Sequence, residues 1–191
     1  MEKIWMEKIE EKDNIELIIG DLNWNESRNE NETFDLDVSA FLLNKDKKLD
    51  RDENFIFYNN KISEDDSVIY TSDNITGNKV DDEELIVVNL NKVPSEIERI
   101  SIVASIHEVD DEDYYFKDIK NSNLKISKSG DEFDLSGKMM FKFDLEKEFG
   151  NEKAIIALEI VRNGEEWEYL PKSKGFKGGL IDIIRYYGGN I

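Results

Sequence analysis

An all-β fold, an antiparallel β-sandwich of two sheets with short peripheral helices, is what this sequence predicts, and three observations predict it. Apolar residues recur with period two or in short runs, about ten such runs are spread along the 191 residues, and no amphipathic helix separates them until the carboxyl end. Strands of this kind bury one face each, and runs joined by tight turns pair antiparallel rather than through the long crossovers that a parallel sheet requires. A chain of this length also buries a sizeable core as one unit.

Taken in order, Ile15 to Ile19 opens the series and Phe34 to Leu43 follows. In the second run Phe34, Leu36, Val38, Ala40 and Leu42 share one face, while Asp35, Asp37 and Ser39 share the other until Phe41 and Leu43 continue it. Asp35 and Asp37 therefore project together. Phe55 to Tyr58, Val68 to Thr71 and Leu85 to Leu90 come next, with turn formers at Asn44-Lys45-Asp46 and Ser63 to Ser67. Ile100 to His107 places Ile100, Ile102, Ala104 and Ile106 on one face and Ser101, Val103, Ser105 and His107 on the other, with Glu108 just beyond. Leu124 to Ser127, Met139 to Phe143, Ile155 to Val161 and Trp167 to Leu170 complete the set, with turns at Ser129-Gly130-Asp131 and Asn163-Gly164. Phe176, Leu180, Ile184 and Tyr187 recur at helical spacing between Gly175 and Gly188-Gly189, which predicts a carboxyl-terminal helix. Pro94 followed by Ser95 to Glu98 predicts a short helical turn. Residues 1–13 read as a flexible amino-terminal tail and 14–191 as a single domain.

The balance of 44 acidic against 25 basic residues gives a formal charge of -19, which repels nucleic acid and anionic membrane surfaces and favours cations and basic proteins as partners. With no cysteine, disulfides, thiolate zinc sites, iron–sulfur clusters and thiol redox chemistry are excluded, and oxygen ligands remain. The sole histidine, His107, excludes two-histidine zinc chemistry and reads as structural or as a flank of the acidic residues. No leader pattern and no long apolar run is found, so direct membrane insertion is not expected and a cytoplasmic protein is.

The acidic residues are ordered along the chain: Asp35 and Asp37, Asp73-Asn74 with Thr76, Asp81-Asp82-Glu83-Glu84, then Glu108. Two carboxylates about 4 Å apart repel by roughly 4 kcal/mol at an effective dielectric of about 20, so convergence of several calls for solvent or a bound cation. A charge run such as Asp81 to Glu84 taken alone is a solvated surface. As a converging set these residues suit calcium, which accepts about 6 to 8 oxygens in flexible geometry. Asp37, Asp73, Asn74 and Asp82 are the leading ligands, then Asp35, Thr76, Asp81, Glu83 and Glu84, with Glu108 a supplement; one or two ions are expected. No EF-hand loop is present. Trp24 and Trp167 read as core residues.

These motifs, in order, resemble the TerD-like tellurium-resistance and stress-response family. The resemblance is carried by Gly20-Asp21-Leu22-Asn23-Trp24, Phe34 to Leu43, Asn54 to Asn60, Ser72 to Gly77 with Asp81-Asp82-Glu83, Lys92-Val93-Pro94 and Ile106-His107-Glu108. Phe143-Asp144-Leu145, Gly164 to Trp167 and Gly175 to Leu180 continue it. It implies a β-sandwich that binds Ca2+ in acidic loops, serves in a stress-response complex with other proteins and has no established reaction. The chain departs from the family at Ser72, where glycine is usual, at the glycine-free Asn78-Lys79-Val80, and at Asn25, where aspartate follows the tryptophan. Lys79 and Val80 adopt positive-φ loop conformations less readily than glycine. The preferred expectation is thus a calcium-binding, non-catalytic module whose loops order a protein-interaction surface. A metal-dependent hydrolase using the same carboxylates, and a calcium-independent assembly scaffold, are the alternatives.

Overall fold

The structure is a computed structural model that describes residues 16–25, 35–72, 82–107, 114–131, 134 and 137–189, with the backbone alone at 82 and 83. The expected amino-terminal tail, residues 1–13, lies outside the described residues. Among the described residues ten strands form two antiparallel sheets of five. In the first sheet β1 (Leu17–Trp24), β4 (Val68–Thr71), β5 (Asp82–Asn89), β7 (Asn123–Ser129) and β8 (Lys138–Asp144) lie in the order β4-β5-β1-β7-β8. In the second, β2 (Asp35–Leu43), β3 (Phe55–Ile56), β6 (Arg99–His107), β9 (Ala154–Asn163) and β10 (Glu166–Phe176) lie in the order β10-β9-β6-β2-β3.

Each run anticipated from apolar patterning contains a strand, Ile15 and Phe34 lying outside the described residues, and the differences are in extent. β1 runs on to Trp24 because Leu22 and Trp24 keep the buried row going while Asp21 and Asn23 alternate with them. β3 stops after two residues, since Phe57 turns back to bridge Asn60. β10 continues through a bulge between Pro171 and Lys174 to Phe176, so Phe176 ends a strand and helix α2 (Leu180–Tyr186) starts four residues later. Helix α1 (Leu145–Glu148) has no counterpart in the sequence expectation; Asp144 caps it by accepting from the Lys147 N–H at 3.1 Å, while Glu148 accepts from the Asp144 N–H at 3.0 Å. Ser95 to Glu98 is a turn rather than a helix, in which the Ile97 N–H donates to the Pro94 carbonyl at 3.1 Å.

Between the sheets Ile18, Leu22, Ile86, Val88 and Ile126 meet Leu36, Val38, Ala40, Ile102 and Leu158, all buried. Gly20 sits in that layer, where an added Cβ would lie 2.9 Å from Ile86 Cγ2 and 3.3 Å from Ile102 Cγ2, on opposite sheets. Overfilling a packed interior forces side chains off their rotamers, so Gly20→Val should cost about 1–3 kcal/mol, read as a lowered melting temperature with an unchanged far-ultraviolet spectrum. An unaltered melt would show that the layer has slack.

The outer face of the second sheet carries a smaller core. Phe41, Leu43, Val103, Ala154 and Ile156 pack under Ile183 and Tyr187 of the α2 segment. From there a series of ring contacts runs along the face: Tyr187 to Phe41 (centroids 5.3 Å), Phe41 to Phe55 (4.4 Å), Phe55 to Phe57 (4.4 Å), Phe57 to Tyr58 (5.1 Å) and Tyr58 to His107 (5.2 Å). The smaller core thus fixes the aromatic wall that ends at His107.

Candidate functional site: an acidic rim at one end of the sandwich

The site is built where the two sheets part at the end of β2. Strand β3 pairs with β2 only at Ala40 and Phe41, so among the described residues the amino-terminal half of β2 is an edge with no strand beside it. Glu84 fills it. Cross-strand pairing with Leu22 puts Glu84 on the core-facing row of β5, one step beyond Ile86, and its carboxylate reaches across to accept the Val38 N–H at 2.9 Å. The other oxygen accepts from the Tyr70 hydroxyl at 2.5 Å. Tyr70 is held on the same row by its pairing with Ile86.

Asp35 and Asp37 emerge on the outer face of β2, beside the same edge. Asp37 is buried and its Oδ2 lies 2.8 Å from His107 Nδ1 on the neighbouring strand. Asp35 stands directly opposite His107, and Asp37 directly opposite Ser105, in the β2–β6 register. Ser39 and Ser105, both fully buried on this face, have hydroxyls without a hydrogen-bond partner. Buried polar atoms are nearly always paired, so these two hydroxyl oxygens have spare capacity, and Ser105 stands directly opposite Asp37 in the register.

The electrostatics record the crowding. Burial pushes the Glu84 carboxyl up from 4.5 to about 7; its hydrogen bonds to Tyr70 and Val38 oppose that shift, and the charges of Asp37 and Asp35 add to it. Asp37 is raised by burial, against the lowering effect of His107, with Asp35 adding repulsion. Asp35 is raised by burial despite the nearby His107. The Tyr70 hydroxyl is pushed far above its usual range by burial and by Glu84. A rim that holds three acids against the cost of ionising them favours an arriving positive charge.

The sequence-predicted residues divide sharply. Asp35, Asp37 and Glu84 come together. Asp73, Asn74, Thr76, Asp81 and Glu108 lie outside the described residues, as does Asn78-Lys79-Val80. Asp82 and Glu83 are placed by backbone only, in β5 opposite Trp24 and Asn23. In the sequence, segment 73–81 lies between Ser72, just after β4, and Asp82, and segment 108–113 follows His107. Among the described residues no three of His, Asp and Glu close into a metal-binding group. Sequence reading missed Tyr70, which looks like one more aromatic in a strand, and ranked Glu84 below Asp82. The signal for Glu84 was its parity with Ile86 and Val88.

The Asp37–His107 pair has the orientation of an acid and base, and among the described residues the Ser105 hydroxyl, opposite Asp37 in register, makes no hydrogen bond to it. Trp24 is buried in the core as expected, while Trp167 is partly buried against it under the Arg162 guanidinium at 4.2 Å.

The protein is thus a two-sheet antiparallel sandwich with an acid-lined rim. The TerD domain profile matches residues 2–187. Tellurium resistance protein TerD of Serratia marcescens is 32% identical over 169 residues, covering 88% of this chain and 85% of that one. General stress protein 16U of Bacillus subtilis (strain 168) is 36% identical over 155 residues, covering 81% and 78%. Among solved structures, a homologue of telluride resistance protein (TerD) from Streptomyces coelicolor A3(2) superposes with a TM-score of 0.73 at 17% identity over 92% of this chain and 99% of that one, a likeness of fold. The chain belongs to the TerD domain family.

Proposed function

We propose that this chain is a calcium-binding module of chemical-stress defence, in which the cation neutralises the acidic rim and orders the loops that leave it, presenting a surface to partner proteins. The observation that carries the reading is Glu84, Asp37 and Asp35 meeting at one open strand edge with their carboxyls held above ordinary values. The donor chemistry fits a hard cation: carboxylate oxygens from both sheets and the unpartnered hydroxyls of Ser39 on β2 and Ser105 on β6. Asp35, Asp37 and Glu84, which do not by themselves close into a metal-binding group, would supply part of the shell, with Asp73, Asn74, Thr76, Asp81, Asp82, Glu83 and Glu108 as the further contributors expected from sequence. The ion supplies charge neutralisation and cross-linking, and no turnover is assigned to it.

The resistance context comes from the relatives, two of which carry the names tellurium resistance protein TerD and chemical-damaging agent resistance protein B. Among the described residues no helix is long and apolar enough to cross a membrane; action in the cytoplasm alongside protein partners is part of this proposal. Ion binding to the folded state alone adds about 2.7 kcal/mol of stability at a ligand concentration about 100 times Kd. Chelator-stripped protein should therefore melt several degrees higher with millimolar calcium, and Asp37→Asn should remove most of that gain. Identical melts with calcium and with chelator would refute the reading and leave the scaffold alternative.

A further inference from the structure

We propose that β10 pairs antiparallel with β10 of a second copy of this chain, about a two-fold axis at Leu170, so that the second sheets of the two copies become continuous. This inference does not rest on calcium binding. The row that carries it is written in the sequence: Glu166, Glu168, Leu170, Lys172 and Lys174 alternate with Trp167, Tyr169, Pro171 and Ser173, acidic on one side of Leu170 and basic on the other. The structure puts that row on the outer face of the sheet. Leu170 stands opposite Glu159, Lys172 reaches the same Glu159 at 3.0 Å, and Lys174 stands opposite Ile156 of the smaller outer core. A two-fold contact is made by the same surface on both copies, so an axis at Leu170 sets Glu168 against Lys172 of the second copy and Glu166 against Lys174 of the second copy, and the reverse. Opposite charges directly across an antiparallel pair stabilise it, and like charges destabilise it.

Position and exposure leave β10 open to such a partner. It ends the second sheet with β9 on one side only, and Glu166, Glu168 and the run from Pro171 to Lys174 are exposed. Neither Glu166 nor Glu168 has an ion pair among the described residues. Trp167, Tyr169 and Leu170 are half-buried, so a neighbouring strand would cover apolar surface while it matches charge. The other edges do not offer this: β3 and β4 have two and four residues, and a two-fold on β8 at Met140 would set Lys138 against Lys142 of the second copy. Pro171 has no N–H to give and the bulge to Lys174 bends the strand, two features that blunt an edge against indiscriminate pairing. They shorten the hydrogen-bond ladder and leave charge to choose the register, so the dimer is specific and reversible. Because β10 and the β2–β3 edge lie at opposite ends of the second sheet, the pair presents two acidic rims, one at each end, which suits a multivalent partner.

The test uses the full chain without calcium and exploits its lack of cysteine. Under mild oxidation Leu170→Cys should form a covalent dimer, because residues on the axis bring their Cβ atoms within disulfide reach, whereas Met139→Cys on the exposed edge β8 should cross-link far more slowly. Sedimentation equilibrium at submillimolar concentration should show a monomer–dimer equilibrium for wild type. Glu166→Lys combined with Glu168→Lys, both at exposed positions, should weaken it at least about tenfold by setting lysine against lysine. A wild type that stays monomeric, cross-linking at position 170 no faster than at 139, or a dimer indifferent to the double charge reversal would overturn the proposal. Every variant keeps Asp35, Asp37 and Glu84 and should retain the calcium-dependent melt, so loss of that melt in wild type with the dimer intact would sink only the calcium reading.

Discussion

Replacing Glu84 by glutamine should stabilise the metal-free protein at pH 8 by up to about 3 kcal/mol and have little effect at pH 4. The sign follows from the direction of the shift. Glu84 has a folded pKa near 7 against 4.5 for a free carboxyl, so its contribution to stability is fully present below pH 4.5 and is lost as pH rises through 7. A difference of this size between folded and unfolded values corresponds to the figure given, since each unit is about 1.4 kcal/mol. Glutamine removes the buried charge while keeping an oxygen for the Val38 N–H, and its amide can donate to the Tyr70 oxygen that formerly donated to Glu84. Comparing denaturant midpoints of wild type and variant from pH 4 to pH 8 isolates the effect from the other acids. Calcium should reverse the order, because the ion gains from the carboxylate and not from the amide. A constant difference across pH, or a variant less stable at pH 8, would mean that Glu84 is not held against ionisation.

The largest loss is expected away from the rim, at the charged cluster that docks the carboxyl-terminal helix. Glu159 is buried and pairs with Arg99, with Lys172 at 3.0 Å and with the Tyr187 hydroxyl at 3.2 Å; that hydroxyl also donates to Ser101 at 2.8 Å. Glu159→Ala strands the buried Arg99 guanidinium, and breaking one half of a buried pair costs about 3–5 kcal/mol. Arg99→Met combined with Glu159→Leu removes both charges and should recover most of that loss, since apolar replacements of a buried pair are often neutral. Chemical denaturation of the two variants is the measurement. A single variant within about 1 kcal/mol of wild type would show that the pair contributes nothing net. The calcium-dependent melt should survive in either folded variant, because Glu159 and the rim lie at different parts of the second sheet.

The legible part of the molecule was what period two controls. Asp35 and Asp37 were placed on one face of β2 by alternation alone, and His107 on the matching face of β6 by the same argument. Register supplied the rest: only the pairing of β2 with β6 puts Asp35 opposite His107 and Asp37 opposite Ser105, and no local pattern encodes that choice. Glu84 was harder, because its importance comes from an edge left open by the brevity of β3, a property of a different strand. Helix α1 escaped because four residues are too few for an apolar period. Phe176 was drawn into the helix because a Gly-Phe-Lys-Gly-Gly stretch conceals where β10 ends; its bulge shifts the register at Pro171 to Lys174.

Calcium titration of chelator-stripped protein by isothermal calorimetry, repeated at pH 7 in two buffers of different ionisation enthalpy, tests the central claim most directly. Saturable binding of one or two ions is expected, with protons released as Glu84 gives up the proton it partly holds at that pH, and with less release at pH 8. Saturable heat with no difference between buffers would place any calcium away from Glu84. No heat at all would remove the cation from the function of this rim.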